Sequence, residues 1–274
     1  RLHMESITYR KIHRTGIELG GEESPRNLLL EMQEGYLKVG DNSLYHPVLE
    51  ILPCDRVALT GANGAGKSTT IKHIIGIMQP KSGAIRLNGQ TFSEDIDAYR
   101  SAFSYIPETP VLYEELTLRE HLELTAMAYG LEQEVFEQRS AALLKEFRME
   151  KRLKWFPSHF SKGMRQKVMI MSAFLVDPDL YIIDEPFVGL DPLGIKSLLD
   201  QMEQQKRNGA SVLMSTHILS TAERYCDRII LLHNGRVRAI GTMTELRQAF
   251  GMPDASLDDL YIAMTEDDDN EEPA

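Results

Sequence analysis

Cysteine is scarce in this chain of 274 residues, which has only Cys54 and Cys226. Two thiols so far apart suggest neither a disulfide framework nor a cysteine metal cluster, and a reducing compartment is the expected setting. Long apolar runs are missing as well. The longest strongly apolar stretch, residues 168–176, falls well short of the ~20 residues that a membrane-spanning helix needs. Positive charge is in deficit: 30 Lys and Arg stand against 41 Asp and Glu, a formal net charge of −11. That argues against the broadly basic face on which general nucleic-acid binding relies. No secretory leader pattern opens the sequence. The expectation is a chain soluble by itself in the cytoplasm, with any membrane role supplied by a partner.

What is present is enough apolar material for a sizeable core, 42% of residues, in one large domain or two small ones. The most informative stretch is Gly61, Ala62, Asn63, Gly64, Ala65, Gly66, Lys67, Ser68 and Thr69. It fits the pattern G-x-x-x-x-G-K-[ST] at every fixed position. The apolar residues 56–60 before it read as a buried strand, and residues 68–77 after it as the start of a helix. Strand, glycine-rich turn and helix is the context that a phosphate-binding loop needs. Glycines let backbone N–H groups close around phosphate oxygens, and the helix N-terminus adds its positive end. Lys67 would reach the β- and γ-phosphates, and the Ser68 hydroxyl can ligate Mg²⁺.

The rest of the pattern surrounds that loop. Residues 1–27 are polar, include the turn cluster at 20–25, and read as a loosely attached arm. Residues 28–32 suggest an edge strand, and Gly35-Tyr36 and residues 40–42 suggest turns. Strands follow at 48–52 and 56–60. Asn88-Gly89, between apolar segments, signals a hairpin. Apolar residues recur at helical spacing from about 115 to 165, among them Leu116, His121, Leu122, Leu124 and Tyr129. This block reads as a helical subdomain set between a strand at 102–106 and one at 180–184. Strands and helices then alternate to residue 233, which argues for a mostly parallel sheet covered by helices. Residues 251–274 are expected to form a C-terminal helix and an acidic tail. The acidic run at 266–272 reads as solvated and disordered.

Three further places carry chemistry. Residues 180–184 form an apolar strand that runs into Asp184 and Glu185. A carboxylate at a strand end can hold Mg²⁺, and a second one beside it can polarise an attacking water; alone, the pair reads equally as a strand followed by a polar turn. His217 closes another apolar strand. It is either an ordinary core or surface histidine or a residue facing the γ-phosphate. Ser161 opens a helix at 162–176, where it serves as an N-cap and where the helix start is also an anion site.

In order and spacing these motifs resemble the ATP-binding subunits of ABC transporters, over about residues 28–250. Residues 61–69 match the family's Walker A loop, Asp184-Glu185 its Walker B with the catalytic Glu, and His217 its switch histidine. Gly189-Leu190-Asp191 match the D-loop, and Phe160-Ser161-Lys162-Gly163-Met164 stand where the family has Leu-Ser-Gly-Gly-Gln. The stretches 105–110, 160–164 and 223–226 carry a closer likeness to one bacterial branch of the family. Residues 1–60 look more like the linker and leading strands of the second ATPase half of ABC-F proteins. That suggests the alternative of a soluble ATPase acting on the ribosome. The implied fold is α/β: a P-loop NTPase core with a mostly parallel sheet, an antiparallel β edge and an inserted helical subdomain.

The resemblance implies ATP and Mg²⁺ as cofactors, with Glu185 and His217 catalytic and Ser68, Glu108 and Asp184 around the metal. Glu108 departs from the usual Gln and adds negative charge beside the γ-phosphate. Lys162 and Met164 depart from the usual Gly and Gln, while Ser161 and Gly163 keep the hydroxyl and the close backbone approach. The adenine-stacking aromatic is expected in a loop near residue 36, as Tyr36 or alternatively Tyr45. One chain holds one copy of each motif, so Ser161, Lys162 and Gly163 are expected to complete the site of a second ATPase subunit, a homodimer being the simplest case. An integral membrane permease would be the other partner, placing the chain on the inner face of the cell membrane. Residues 145–167 hold eight Lys and Arg around Trp155 and Phe156. They form either a solvated face or the permease docking surface.

Overall fold

The computed structural model describes residues 28–39, 42–46 and 48–269. The polar arm at 1–27, Gly40-Asp41 of one expected turn, and residues 270–274 of the acidic tail lie outside these. In chain order the first elements are β1 (Leu30–Met32), β2 (Gly35–Val39), β3 (Asn42–His46), β4 (Leu49–Ile51), β5 (Arg56–Thr60), α1 (Lys67–Ile74), β6 (Ile85–Leu87) and β7 (Gln90–Thr91). Then come α2 (Ile96–Ser101), β8 (Phe103–Ile106), α3 (Leu118–Ala128), α4 (Gln133–Glu146), two short 3₁₀ turns, α5 (Lys162–Leu175) and β9 (Leu180–Asp184). The chain continues through α6 (Pro192–Arg207), β10 (Ser211–Thr216), α7 (Leu219–Tyr225), β11 (Arg228–His233), β12 (Arg236–Gly241), α8 (Met243–Phe250) and α9 (Leu257–Asp269).

The main sheet has the order β12-β11-β5-β10-β9-β8. All its pairings are parallel except that of β12 with β11. Strands buried on both faces read as continuous apolar runs, because side chains alternate between the two faces and both are covered. In β9, Leu180 and Ile182 join the core shared with α1 and the antiparallel strands, while Tyr181 and Ile183 join the core under α5 and α6. In β11, Ile230 and Leu232 take the first core, and Ile229 and Leu231 enter a third one with α9. Helix α3 closes its start with a capping box between Thr117 and Glu120, and α8 does the same with Thr242 and Glu245.

The structure departs from the sequence reading in four places. Residues 30–32 are no edge strand: β1 lies between β4 and β6 in the second sheet, ordered β4-β1-β6-β7. Gly35-Tyr36 begins a strand rather than a turn. The glycine is needed there for close approach, since a Cβ on Gly35 would sit 2.2 Å from the Ser82 carbonyl oxygen. Within the helical block, Leu124 and Tyr129 are exposed, and the buried stripe of α3 is Leu118, His121, Leu122 and Ala126. Residues 266–269 of the acidic run are the last turn of α9 rather than coil.

Candidate functional site

The parallel register gathers residues that are far apart in sequence. Strands β5, β10, β9 and β8 are neighbours, so their C-terminal ends open along one edge, where ligands of such sheets bind. β5 runs into the phosphate loop, β10 into His217, β9 into Asp184-Glu185, and β8 into Pro107-Glu108. Ser215 lies opposite Asp184, and Thr216 opposite Thr60.

Helix α1 starts without a side-chain cap. Its N-cap residue is Gly66, in left-handed conformation (φ 108°), and its first turn carries no acidic residue. The N–H groups of that turn are therefore left for an anion instead of being consumed by the chain. Lys67 is buried, and its Nζ donates to the carbonyl oxygens of Gly61 at 2.8 Å and Ala62 at 3.2 Å. It also lies 3.4 Å from Oε1 of Glu185.

The two Walker-type carboxylates have different surroundings. Asp184 accepts hydrogen bonds from the hydroxyls of Ser215 and, at 3.4 Å, Ser68. Glu185 is only 7% exposed and sits in the left-handed region (φ 45°). Its backbone N–H is steered by Ser215, through the carbonyl at 3.2 Å and the hydroxyl at 3.1 Å. Its carboxylate lies between Lys67 on one side and His217 Nδ1, 2.8 Å from Oε2, on the other.

A cleft of about 370 Å³ opens above these groups, within the ~300–1,000 Å³ usual for small-ligand sites. It is lined by Asn63, Gly64, Gly66, Lys67, Ser68 and Thr69 of the loop, together with Glu108, Glu185 and His217. Gly61, Ala62 and Ala65 of the expected nucleotide-binding set do not line it. Val188 does, and nothing in the sequence pattern marked it. Tyr105 is a second residue the sequence reading passed over as a site neighbour. Burial first, then the nearby Asp184 and Glu108 carboxylates, push its phenol up to about 12. Two carboxylates, Glu108 and Glu185, line the cleft, and beside it the oxygens of Ser68 and Asp184 are hard donors of the kind that Mg²⁺ takes. Among the described residues no three His, Cys, Asp or Glu side chains cluster to hold an ion by themselves.

The other expected residues lie elsewhere. Ser161 is the N-cap of α5, accepting from the Met164 N–H at 3.3 Å. Gly163 packs so closely on the loop after β9 that a Cβ would stand 2.3 Å from the Gly189 carbonyl oxygen, and the Lys162 stem covers Gly189. Asp191 caps α6 and pairs with Lys167 at 3.0 Å. The Lys167 contact holds its carboxyl below the ordinary value. None of these residues lines the cleft of their own chain. Tyr36 stands on a strand instead of a loop, set edge-on against Tyr45 at 5.6 Å, and neither tyrosine lines the cleft. The Tyr45 phenol donates to Glu34 at 2.7 Å, and this bond is the main reason it is pushed up to about 12.

Known proteins resemble this chain in sequence and fold. The sequence profile of the ABC transporter family matches residues 46–188. The ABC-type transporter ATP-binding protein EcsA of Bacillus subtilis (strain 168) is 71% identical over 216 residues, 79% of this chain and 87% of the relative. A solved structure described as the ATP binding subunit of an ABC transporter is 57% identical, with a TM-score of 0.84 over 86% of this chain and 99% of that one. The structure of cbiO1 from Clostridium perfringens, described as part of the ABC transporter complex cbiONQ, is 25% identical, with a TM-score of 0.69 over 81% of this chain and 91% of that one.

Proposed function

The chain belongs to the ABC transporter family as an ATP-binding subunit, and from that membership we propose how its residues bind and hydrolyse ATP. The ABC-F alternative is not favoured, because the relatives are transporter subunits. The observation that carries the reading is the convergence of Lys67, Ser68, Glu185 and His217 on one cleft, with Asp184 held beside it at 3.4 Å from the Ser68 hydroxyl.

ATP enters with its phosphates on the loop at 61–69. The uncapped start of α1 supplies backbone donors, and Lys67 exchanges its contact with Glu185 for the β- and γ-phosphate oxygens. Ser68 and Asp184 would hold Mg²⁺, which would supply charge neutralisation to the phosphates, and Glu108, which lines the same cleft, would contribute an oxygen. Release of Lys67 leaves Glu185 with one partner, His217. The carboxylate then orients and deprotonates the attacking water, and His217 keeps it aimed while facing the γ-phosphate.

Ser161, Lys162 and Gly163 do not line this cleft, and they serve the site of a second ATPase subunit in a head-to-tail dimer. Among the described residues no helix is long and apolar enough to cross a membrane. In this reading, coupling to transport runs through a permease at the cytoplasmic face of the membrane. Arg148, Lys151, Arg152 and Lys154, with the half-exposed Trp155 and Phe156, offer it a basic, aromatic surface. Phosphate release by the full chain tests the enzymatic part. The expected result is turnover that needs Mg²⁺ and is lost with Lys67→Ala. Turnover unchanged in that variant would remove the phosphate loop from the mechanism. Co-purification with a protein that bears membrane helices tests the coupling.

A further inference from the structure

We propose that Tyr261, on the C-terminal helix, is a positioning residue for nucleotide binding: its hydroxyl pins the outer side of the phosphate loop and so sets Lys67. The loop has two sides. Its inner side lines the cleft, and Ala62 takes no part in that lining. Instead the Ala62 N–H donates to the Tyr261 hydroxyl oxygen at 2.8 Å, across 199 positions of sequence. The Ala62 carbonyl, with that of Gly61, accepts from Lys67 Nζ. Gly61 is wedged from another direction, since a Cβ there would lie 2.2 Å from the Leu232 carbonyl oxygen at the end of β11. The first two residues of the loop are thus seated between β11 and α9, and both Lys67 acceptors move with them.

The hydroxyl is delivered from a fixed seat. Helix α9 starts with Ser256 and Asp259 bonded to each other's backbone N–H groups, at 3.2 Å and 2.9 Å. The Leu257 N–H donates to Glu223 at 2.9 Å, and Glu223 pairs with Arg247 at 3.0 Å. Leu257, Leu260 and Met264 form a buried stripe at helical spacing. Tyr261 stands at the edge of that stripe, its ring edge-on to His233 at 6.2 Å. His233 follows Leu232, so one end of β11 braces both Gly61 and Tyr261. Lifting α9 would let the peptide between Gly61 and Ala62 turn, and Lys67 would lose its preset direction toward the phosphates.

This inference rests on the reading of residues 61–69 as the phosphate loop, and the test separates the two. Tyr261→Phe keeps the ring and its contact with His233 and removes only the hydroxyl. Binding of a fluorescent ATP analogue with Mg²⁺ to the full chain is measured, together with steady-state hydrolysis and thermal unfolding without nucleotide. The expected result is a Kd and a KM raised about three- to tenfold, the scale of one neutral hydrogen bond, with kcat within about twofold. A wild-type Kd overturns the proposal, and so does a lowered Tm with Kd unchanged, which would make the hydroxyl a matter of stability alone. Lys67→Ala is run beside it. If that variant binds as tightly as wild type, the phosphate-loop reading falls and this inference falls with it. If Lys67→Ala loses binding while Tyr261→Phe keeps it, only the role of Tyr261 is refuted.

Discussion

At the edge of the parallel sheet, Glu185 is buried and each of its carboxylate oxygens meets a cationic or polarisable partner, Lys67 and His217. At the start of α5, Ser161 is exposed and its hydroxyl caps the helix by accepting from Met164. At the first place the Glu185 carboxylate has its partners within the chain, whereas the second, which we propose as an anion site, is an exposed helix start. The difference follows from solvation. A buried charge without a partner costs several kcal/mol, so the sheet edge must carry its own counter-charges. An exposed helix start has water until a ligand arrives, so it can wait for another molecule to bring the phosphate.

The largest expected effect tests the finished side. Glu185→Gln removes the base but keeps the shape of the side chain, so hydrolysis drops by about 10²- to 10⁴-fold, the range of general-base catalysis. ATP binding persists and a dimer accumulates, read by phosphate release and size-exclusion chromatography. Undiminished turnover would break the assignment. Lys67→Ala comes next, with nucleotide binding weakened roughly 10- to 100-fold, as for a lost charge-assisted hydrogen bond. Titration of a fluorescent analogue measures it. Gly163→Ala probes the waiting side. Its Cβ would collide with Gly189, so stability falls by about 1–3 kcal/mol in denaturant unfolding. If the two sides are as separate as the geometry suggests, hydrolysis falls while the ATP affinity of the isolated subunit holds.

A fourth change serves as a control far from both sides, at the strand starts of β5 and β11. Burial alone would push Asp227 up, but hydrogen bonds from Arg56 and Lys206 outweigh it and hold the carboxyl below its ordinary value of 3.8. A depressed folded value means stability that is present above the unfolded value and is lost as pH falls through the folded one. Asp227→Asn should therefore cost roughly 1–2 kcal/mol near neutral pH and progressively less below about pH 4. Urea unfolding at several pH values reads this, and ATP affinity should not move. The smallest effect belongs to Glu108→Gln, which removes one negative charge beside the cleft. The Mg²⁺ concentration giving half-maximal hydrolysis should shift by about two- to fivefold, in line with one exposed charge in a high-dielectric site. Identical Mg²⁺ titrations would show that Glu108 takes no part in the metal's surroundings.

Much of the main sheet was legible, because strands buried on both faces carry an unbroken apolar centre, as residues 180–183, 212–214 and 229–232 do. The Asn88-Gly89 hairpin was legible for a local reason: both residues take positive φ, at 51° and 78°. The leading strands were harder. Gly35 looked like a turn because glycine usually marks one, while here it makes room for the Ser82 carbonyl of a segment 47 positions away. Leu124 matched a helical period, yet α3 turns it to solvent, since periodicity gives spacing but not which face meets α5; Tyr129 caps the end of α3 instead, its hydroxyl donating to the Phe103 carbonyl.

By itself, then, the sequence determined the parts whose chemistry is local. A glycine-rich loop of the pattern G-x-x-x-x-G-K-[ST] between a strand and a helix offers backbone donors to phosphate, and an apolar strand that ends in Asp184-Glu185 carries its carboxylates to the sheet edge. Which groups those carboxylates meet was decided only by the tertiary structure. Strand order and register bring Ser68 to Asp184 across 116 positions and His217 to Glu185 across 32. They also bring the Tyr261 hydroxyl to Ala62 across 199. Hydrogen bonds reach about 3 Å and leave no periodic trace along a chain, so pairings of this kind exist only once the core has packed.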